Sequence, residues 1–148
     1  MSEMTVTTRR DAERIASPKI TTRRLAVAAA GLAFASELIH LWVLPGEFAL
    51  APLRGMFFLL VAMAQGALAV NLLFGPRRWT LRLGLVLNVV IVAIWAFTRL
   101  VGLPMMITFV RLPVGALDLT ATALEIALIA ALIALRRMDP SAVARARG

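Results

Sequence analysis

The sequence predicts an all-α fold, a polytopic four-helix bundle that spans a membrane. Hydrophobic residues make up 61% of the 148 residues, whereas soluble proteins use roughly 45–50%. These residues form four long stretches, each close to the roughly 20 residues that an α-helix needs to cross a bilayer core. Lys and Arg lie almost entirely at one end of these stretches. Composition and charge distribution therefore place the chain among multi-pass membrane proteins.

Charged or helix-breaking residues bound the four stretches. Pro45-Gly46 follows the first, Gly75-Pro76 follows the second, and Arg136-Arg137 follows the fourth. Such residues commonly end helices or mark the membrane surface. The predicted transmembrane domain covers residues 23–137, with spans at about residues 25–44, 55–74, 83–100 and 116–135.

Polar segments flank this domain at both ends. Residues 1–22 and 138–148 are predicted to be disordered basic tails, because their composition offers little apolar surface to bury. Ala33-Phe34-Ala35 resembles a signal-peptide cleavage site. The apolar run continues through Leu44, so we expect a retained first span.

The distribution of basic residues predicts the orientation. Of the 16 Lys and Arg residues, all except Arg54, Arg99 and Arg111 lie in the tails or in the connection between the second and third stretches. The positive-inside rule therefore places both termini in the cytoplasm. We expect a location in the bacterial inner (plasma) membrane.

The net charge of +8 predicts anionic lipid headgroups at the cytoplasmic face as partners. The basic residues flank apolar segments and do not alternate with aromatic residues, which argues against nucleic acid. The absence of Cys excludes disulfides, thiol chemistry and Cys-ligated metal. Four short helices bury little surface among themselves, which leaves open a homo-oligomer or a larger membrane complex.

The first span carries a Glu-x-x-His motif. Glu37 and His40 are three residues apart and share a helix face, and Ser36 lies one turn before His40. Di-iron bundles need two such motifs, and this chain has one His. A mononuclear metal site of His40, Glu37 and Asp118 remains open. The metal-free alternative is a hydrogen bond from His40 to Glu37 or to a loop carbonyl.

The fourth span carries two acids. Asp118 and Glu125 are seven residues apart, so they lie on one side of the helix, roughly 10 Å apart along its axis. Glu125 falls near mid-membrane, where an unpaired carboxylate is costly or stays protonated, and we expect it to face the bundle interior. Gln65 of the second span lies at a similar depth. Hydrogen bonds that only pack the helices remain the alternative.

Two arginines lie near the opposite end from the basic segments. Arg99 follows Trp95 by one turn at the end of the third span, and Arg111 lies in the apolar connection before the fourth. Each is predicted either to pair with a nearby acid or to extend toward lipid headgroups.

Together these residues predict an outward-facing polar pocket. Its predicted lining is Glu37, His40, Gln65, Trp95, Arg99, Arg111, Asp118 and Glu125. The leading hypothesis is a binding or accessory protein for a cation, a metal ion or a small polar or lipid headgroup. One alternative is a small oligomeric proton- or cation-coupled transporter that uses both helix-4 acids, with Asn71 and Asn88 extending the path inward. A second is a membrane enzyme acting on a lipid or quinone, with His40 as acid/base. No catalytic residue and no cofactor is assigned.

Several short motifs together resemble a known group of proteins. They are Glu37-x-x-His40, Gly55 with Phe57, Phe58 and Gln65, Asn88, Trp95-x-x-x-Arg99, Gly102-Leu103-Pro104, Val114-Gly115, Asp118 and Glu125. This set resembles a group of small four-helix integral membrane proteins of high-GC bacteria that has no assigned activity. In size and span number the chain is also similar to DoxX-like membrane proteins. The resemblance covers about residues 25–135 and implies a four-span fold.

Overall fold

A computed structural model of the protein describes the backbone of residues 3–105, 108–110 and 114–138, and the side chains of residues 20–102 and 114–138. The described residues form four helices and one short β-hairpin. In chain order they are α1 (Glu3–Leu50), α2 (Pro52–Leu73), α3 (Arg78–Leu100), β1 (Leu103–Met105), β2 (Thr108–Val110) and α4 (Ala116–Met138). The strands are antiparallel, with Leu103 opposite Val110.

All four helices contain a segment long and apolar enough to cross a membrane. These segments are Ile20–Leu50, Pro52–Leu73, Arg78–Leu100 and Ala116–Met138. The prediction of an all-α protein with four candidate spans is confirmed. Successive helices are antiparallel: α1 and α2 are joined through Ala51 and α2 and α3 through residues 74–77, and α3 meets α4 through Arg99 and Asp118 at one end and through Gly84 and Leu132 at the other. We call the end that carries Ala51 and the β-hairpin the hairpin end, and the end that carries Arg24, Arg77 and Arg136 the basic end.

Helix α1 extends beyond the predicted span of residues 25–44 at both ends. Helix α1 includes residues from Glu3 onward, although residues 1–22 were expected to be disordered, and it continues through Pro45-Gly46 to Leu50. Extending a helix that has already formed costs little, since each added residue gains a hydrogen bond. A proline inside a helix removes one backbone donor, and membrane helices tolerate that loss.

The other predicted bounds differ by less. Helix α2 begins at Pro52, and the structure assigns this proline to its first turn, where a missing N–H costs nothing. Helix α3 begins at Arg78, before the predicted span at Leu83, and an Arg at this end can extend its charged group toward water while its stem remains beside the apolar region. Helix α4 continues to Met138, one residue into the segment that was expected to be a tail.

The core lies in the half of the bundle nearer the basic end. Helix α1 packs against α2 and α4, and α3 packs against α4. The fully buried face of α1 in this core is made of alanines, and the core residues of α2 and α4 are mainly leucines, with Ala69 and Ala131 among them. Lipid tails are as apolar as leucine, so such helices associate through close packing, which small side chains permit. The alanine-rich face of α1 therefore brings α2 and α4 close to it.

Helices α2 and α3 meet in the same half. The Leu68 side chain of α2 lies against Gly84 of α3, where an added Cβ would be 2.7 Å from Leu68 Cδ1. About one helical turn closer to the hairpin end, Gln65 Nε2 donates a 2.9 Å hydrogen bond to Asn88 Oδ1. Both amide side chains are fully buried. Beyond this bond, toward the hairpin end, a cavity lies between the two helices.

Candidate functional site

The hairpin-end cavity has a volume of about 550 Å³ and is lined by all four helices. This volume is within the range of roughly 300–1,000 Å³ that is usual for small-molecule sites. Its walls are mainly aliphatic and aromatic side chains of α2 and α3. They are Leu53, Met56, Phe57, Phe58, Leu60, Ile91, Ile94 and Trp95.

The cavity reaches the lateral surface of the bundle between α2 and α3. Leu53, Met56 and Leu60 of α2 line it and are themselves exposed, Leu53 by 83%. Ile94 supplies an exposed residue on the α3 side. Exposed apolar side chains therefore border the cavity on this lateral surface.

The floor of the cavity is formed by His40 of α1 and Glu125 of α4. Both line the cavity and are buried, with 5% and 1% of their surfaces exposed. His40 Nε2 lies 3.6 Å from Glu125 Oε1, which is too long for a hydrogen bond. Ser36 Oγ donates to Glu125 Oε1 at 3.5 Å, a long contact. The carboxylate is therefore weakly satisfied by its neighbours.

The second ring nitrogen of His40 fixes the tautomer of the neutral ring. His40 Nδ1 donates a 2.7 Å hydrogen bond to the backbone oxygen of Ser36. A carbonyl oxygen can only accept, so Nδ1 carries the proton. In the neutral imidazole, Nε2 is then an acceptor. The floor consequently presents two acceptor atoms, His40 Nε2 and a carboxylate oxygen of Glu125.

Two ion pairs lie at the hairpin end of the cavity, which we call its mouth. One joins α3 to α4, and the other joins α1 to α2. Arg99 Nη2 of α3 donates to Asp118 Oδ2 of α4 at 2.6 Å, and the same oxygen accepts from the backbone N–H of Gly115. Across the mouth, Arg54 Nη2 lies 2.7 Å from Glu47 Oε2. That contact is an ion pair without hydrogen-bond alignment, because Glu47 Oε2 has no hydrogen-bond partner among the described residues.

The hydroxyl groups that line the cavity already bond to their own helices. Thr122 Oγ1 donates to the backbone oxygen of Asp118, and Thr98 Oγ1 donates to that of Trp95. Thr98 Oγ1 also accepts from Arg99 Nη1. Three other residues that line the cavity carry a buried side-chain atom with no hydrogen-bond partner among the described residues, namely Glu47 Oε2, Trp95 Nε1 and Arg99 Nε.

Five of the eight residues predicted for the pocket line one cavity. They are His40, Trp95, Arg99, Asp118 and Glu125. Gln65 does not line it, and its amide is bonded to Asn88. The Glu37 carboxylate lies against Gly66 of α2 and also does not line it. Arg111 lies outside the described residues.

The predicted metal site of His40, Glu37 and Asp118 does not form. Among the described side chains, no three His, Asp or Glu groups converge to hold a metal ion. The physical reason is that the three groups have different neighbours. The Glu37 carboxylate packs over Gly66 and Asp118 binds Arg99 near the mouth.

Sequence reasoning missed two parts of the site. It did not identify Phe57 and Phe58 as cavity residues, although they line the cavity beside His40. The two phenyl rings are 5.6 Å apart in an edge-to-face arrangement, and the Phe58 ring is 5.6 Å from the imidazole. It also did not predict the Glu47–Arg54 pair. That pair depends on the one-residue connection at Ala51, which the predicted spans did not include.

Asn71 was proposed to extend a transport path inward. Its side chain is exposed on the surface of the bundle and bonds to the backbone oxygen of Ala67 in its own helix. Asn71 is therefore not part of an interior path in the described structure.

Comparison with models of known protein families, with curated proteins and with solved structures finds no match. The resemblance to small four-helix membrane proteins of high-GC bacteria accordingly stays a prediction.

Proposed function

We propose that this protein is a membrane-embedded binding protein for an amphiphilic small molecule, with the hairpin-end cavity as its site. One observation carries the proposal. A single cavity combines apolar walls, an opening on the lateral surface, ion pairs at its mouth and the His40–Glu125 pair at its floor. A ligand with an apolar body and one polar group complements both the walls and the floor.

Access from the bilayer supports this proposal. Leu53, Leu60 and Ile94 border the opening and are exposed. A lipid-soluble molecule passes this border without crossing water. The ion pairs at the mouth hold α3 to α4 and α1 to α2, so they leave the α2–α3 opening free of cross-links.

Binding is favoured over transport because of the residues beyond the floor. A transport path would need polar groups between the floor and the basic end. Asn71 is exposed outside the bundle, and Asn88 is bonded to Gln65 and to the backbone oxygen of Gly84. The core at this depth is formed by closely packed alanines and leucines.

The proposal includes an orientation. We place the basic end in the cytoplasm and the hairpin end at the outer face of a bacterial plasma membrane, since exposed arginines concentrate at the basic end. The chain has no Cys, so single cysteines report each side directly. Ala51→Cys should react with an impermeant maleimide in intact cells, and Gly75→Cys should react only after lysis. The reverse pattern contradicts the orientation.

The binding test compares two alanines of α4. Ala121 lines the cavity, and Ala123 is exposed and does not line it. We would measure saturable quenching of Trp95 by a spin-labelled dodecyl amphiphile in zwitterionic nanodiscs, in a background carrying Trp42→Phe and Trp79→Phe. Ala121→Phe occupies part of the cavity and should weaken binding by about tenfold or more, equivalent to about 1.4 kcal/mol.

Ala123→Phe adds the same volume on the lipid-facing side and should leave binding unchanged. Equal affinities in the two variants, or quenching that never saturates in the unsubstituted protein, would rule out the cavity as an amphiphile site.

A further inference from the structure

The charges that line the hairpin-end cavity do not cancel. Arg54 is paired with Glu47, and Arg99 is paired with Asp118. Among the described residues, Glu125 has no Arg or Lys partner. With neutral His40, no cationic side chain among the described residues neutralises the Glu125 carboxyl group at the cavity floor when that group is ionised. A cation complements this site, whereas an anion would be repelled by it.

The hydrogen-bonding groups at the floor favour a ligand that carries hydrogen-bond donors. Nδ1 of His40 is bound to a carbonyl, which leaves Nε2 as an acceptor. Glu125 Oε1, 3.6 Å away, is a second acceptor. Two acceptors at this separation do not bond each other, and one ammonium group with several N–H donors can donate to both.

The walls near the floor fit the same group. Phe57, Phe58 and Trp95 line the cavity, and the Phe58 ring is 5.6 Å from the imidazole of His40. Aromatic faces attract cations within about 6 Å, most strongly where water is excluded. The remaining wall residues are aliphatic and match a hydrocarbon body.

We infer that the ligand is an amphiphilic amine whose protonated nitrogen binds between His40 and Glu125. This inference rests on the proposed function and names the chemical class of the ligand. The nitrogen donates to Nε2 and to the carboxylate, and the hydrocarbon body lies along α2 and α3 toward the lateral opening.

The amine can reach the floor as a neutral molecule, so no ion has to cross the apolar opening. A neutral amine that arrives from the bilayer takes a proton from Glu125 when that carboxyl is protonated. The product is the same ammonium–carboxylate pair, with no net proton uptake or release.

The test uses three dodecyl probes on the full chain in zwitterionic nanodiscs, namely dodecylamine, dodecanol and dodecanoate. Each competes with the spin-labelled amphiphile, and empty nanodiscs provide the background. Dodecylamine should bind at least about tenfold more tightly than dodecanol, because only the amine gains the ion pair. Dodecanoate should bind more weakly than dodecanol.

Two carboxylate variants test the assignment. Glu125→Gln keeps the shape of the side chain and should lower dodecylamine affinity to that of dodecanol. Glu37→Gln makes the same chemical change on α1 outside the cavity and should leave all three affinities unchanged. Should Glu125→Gln fail to fold, His40→Ala provides a second test, because it removes one acceptor and should weaken dodecylamine severalfold with little effect on dodecanol.

The two proposals fail in different ways. Saturable binding of all three probes with similar affinity, or equal dodecylamine affinity in Glu125→Gln and the unsubstituted protein, overturns the amine inference and leaves the amphiphile site standing. An absence of saturable binding by every probe overturns the proposed function itself.

Discussion

Gln65 and Asn88 form a fully buried hydrogen bond of 2.9 Å between α2 and α3. On its basic-end side, Leu68 packs against Gly84. On its hairpin-end side, the cavity lies between the same two helices. The direction of the bond is fixed, because Asn88 Nδ2 also donates to the Gly84 carbonyl and Asn88 Oδ1 must then accept. This bond therefore holds α2 and α3 together where the cavity begins.

Removing this bond should destabilise the bundle. Asn88→Leu leaves the Gln65 amide buried without its partner, and we expect a loss of about 0.5–1.5 kcal/mol, the usual scale for hydrogen bonds between membrane helices. Reversible unfolding by SDS in mixed micelles measures the change. Asn71→Leu is the matched control, since Asn71 is exposed and bonds within its own helix. A greater loss in Asn71→Leu than in Asn88→Leu would contradict this role.

The contact of α3 with α2 and α4 depends on the absence of a side chain at Gly84. An added Cβ would lie 2.7 Å from Leu68 Cδ1 and 3.4 Å from Leu132 Cδ1, and both leucines are buried. Gly84→Ala should cost about 1–3 kcal/mol through overpacking, measured by the same unfolding assay.

Gly31 provides the comparison for this substitution, because an added Cβ there meets nothing within 4 Å. Gly31→Ala should be neutral or slightly stabilising. In a Leu68→Ala background, the cost of Gly84→Ala should fall. If both glycine variants behave alike, close packing at Gly84 does not hold α3 in place.

The Arg99–Asp118 pair links α3 and α4 at the cavity mouth. Its 2.6 Å contact and the low exposure of the Arg99 side chain, at 12%, predict a measurable coupling. A double-mutant cycle of Arg99→Ala and Asp118→Ala should give an interaction energy of about 0.5–3 kcal/mol. The Arg54 and Glu47 cycle should give a smaller value, because that arginine is more exposed and the pair lacks hydrogen-bond alignment. Additive single effects at Arg99 and Asp118 would show that the pair contributes nothing.

The protonation of His40 can be observed directly, because the chain contains one His. The 2.7 Å contact of Nδ1 with the Ser36 backbone oxygen predicts that the neutral ring carries its proton on Nδ1. ¹⁵N NMR of the imidazole should show this tautomer. Ser36→Ala keeps the backbone acceptor and should not change it. A proton on Nε2 in the neutral ring would remove one of the two acceptors at the floor and with it the amine geometry.

Much of the site was predictable from residue type and depth. His40 and Glu125 are polar side chains near mid-membrane, where exposure to lipid is costly, and both face the cavity. Glu37 shows where this reasoning fails. It is three residues from His40 and shares a broad helix face with it, yet a rotation of about 60° separates the two side chains. Only the position of α2 decides that the Glu37 carboxylate meets Gly66.

The length of α1 could not be read from its residues either. Pro45-Gly46 is a strong signal for a helix end, because proline lacks a donor and glycine is flexible. The helix continues through both to Leu50. The consequence for the site is that Glu47 remains on a helix and faces Arg54 across the Ala51 connection.

The sequence by itself determined that four apolar segments partition into a membrane and that basic residues concentrate at one end of them. Both properties follow from the solvation of individual residues, which depends on composition and position along the chain. Tertiary structure alone decided which polar groups meet, where α2 and α3 separate, and that Glu125 faces His40 across a cavity. Helices rich in Ala and Leu offer many similar packing surfaces, so their rotations and contacts are set by the whole bundle.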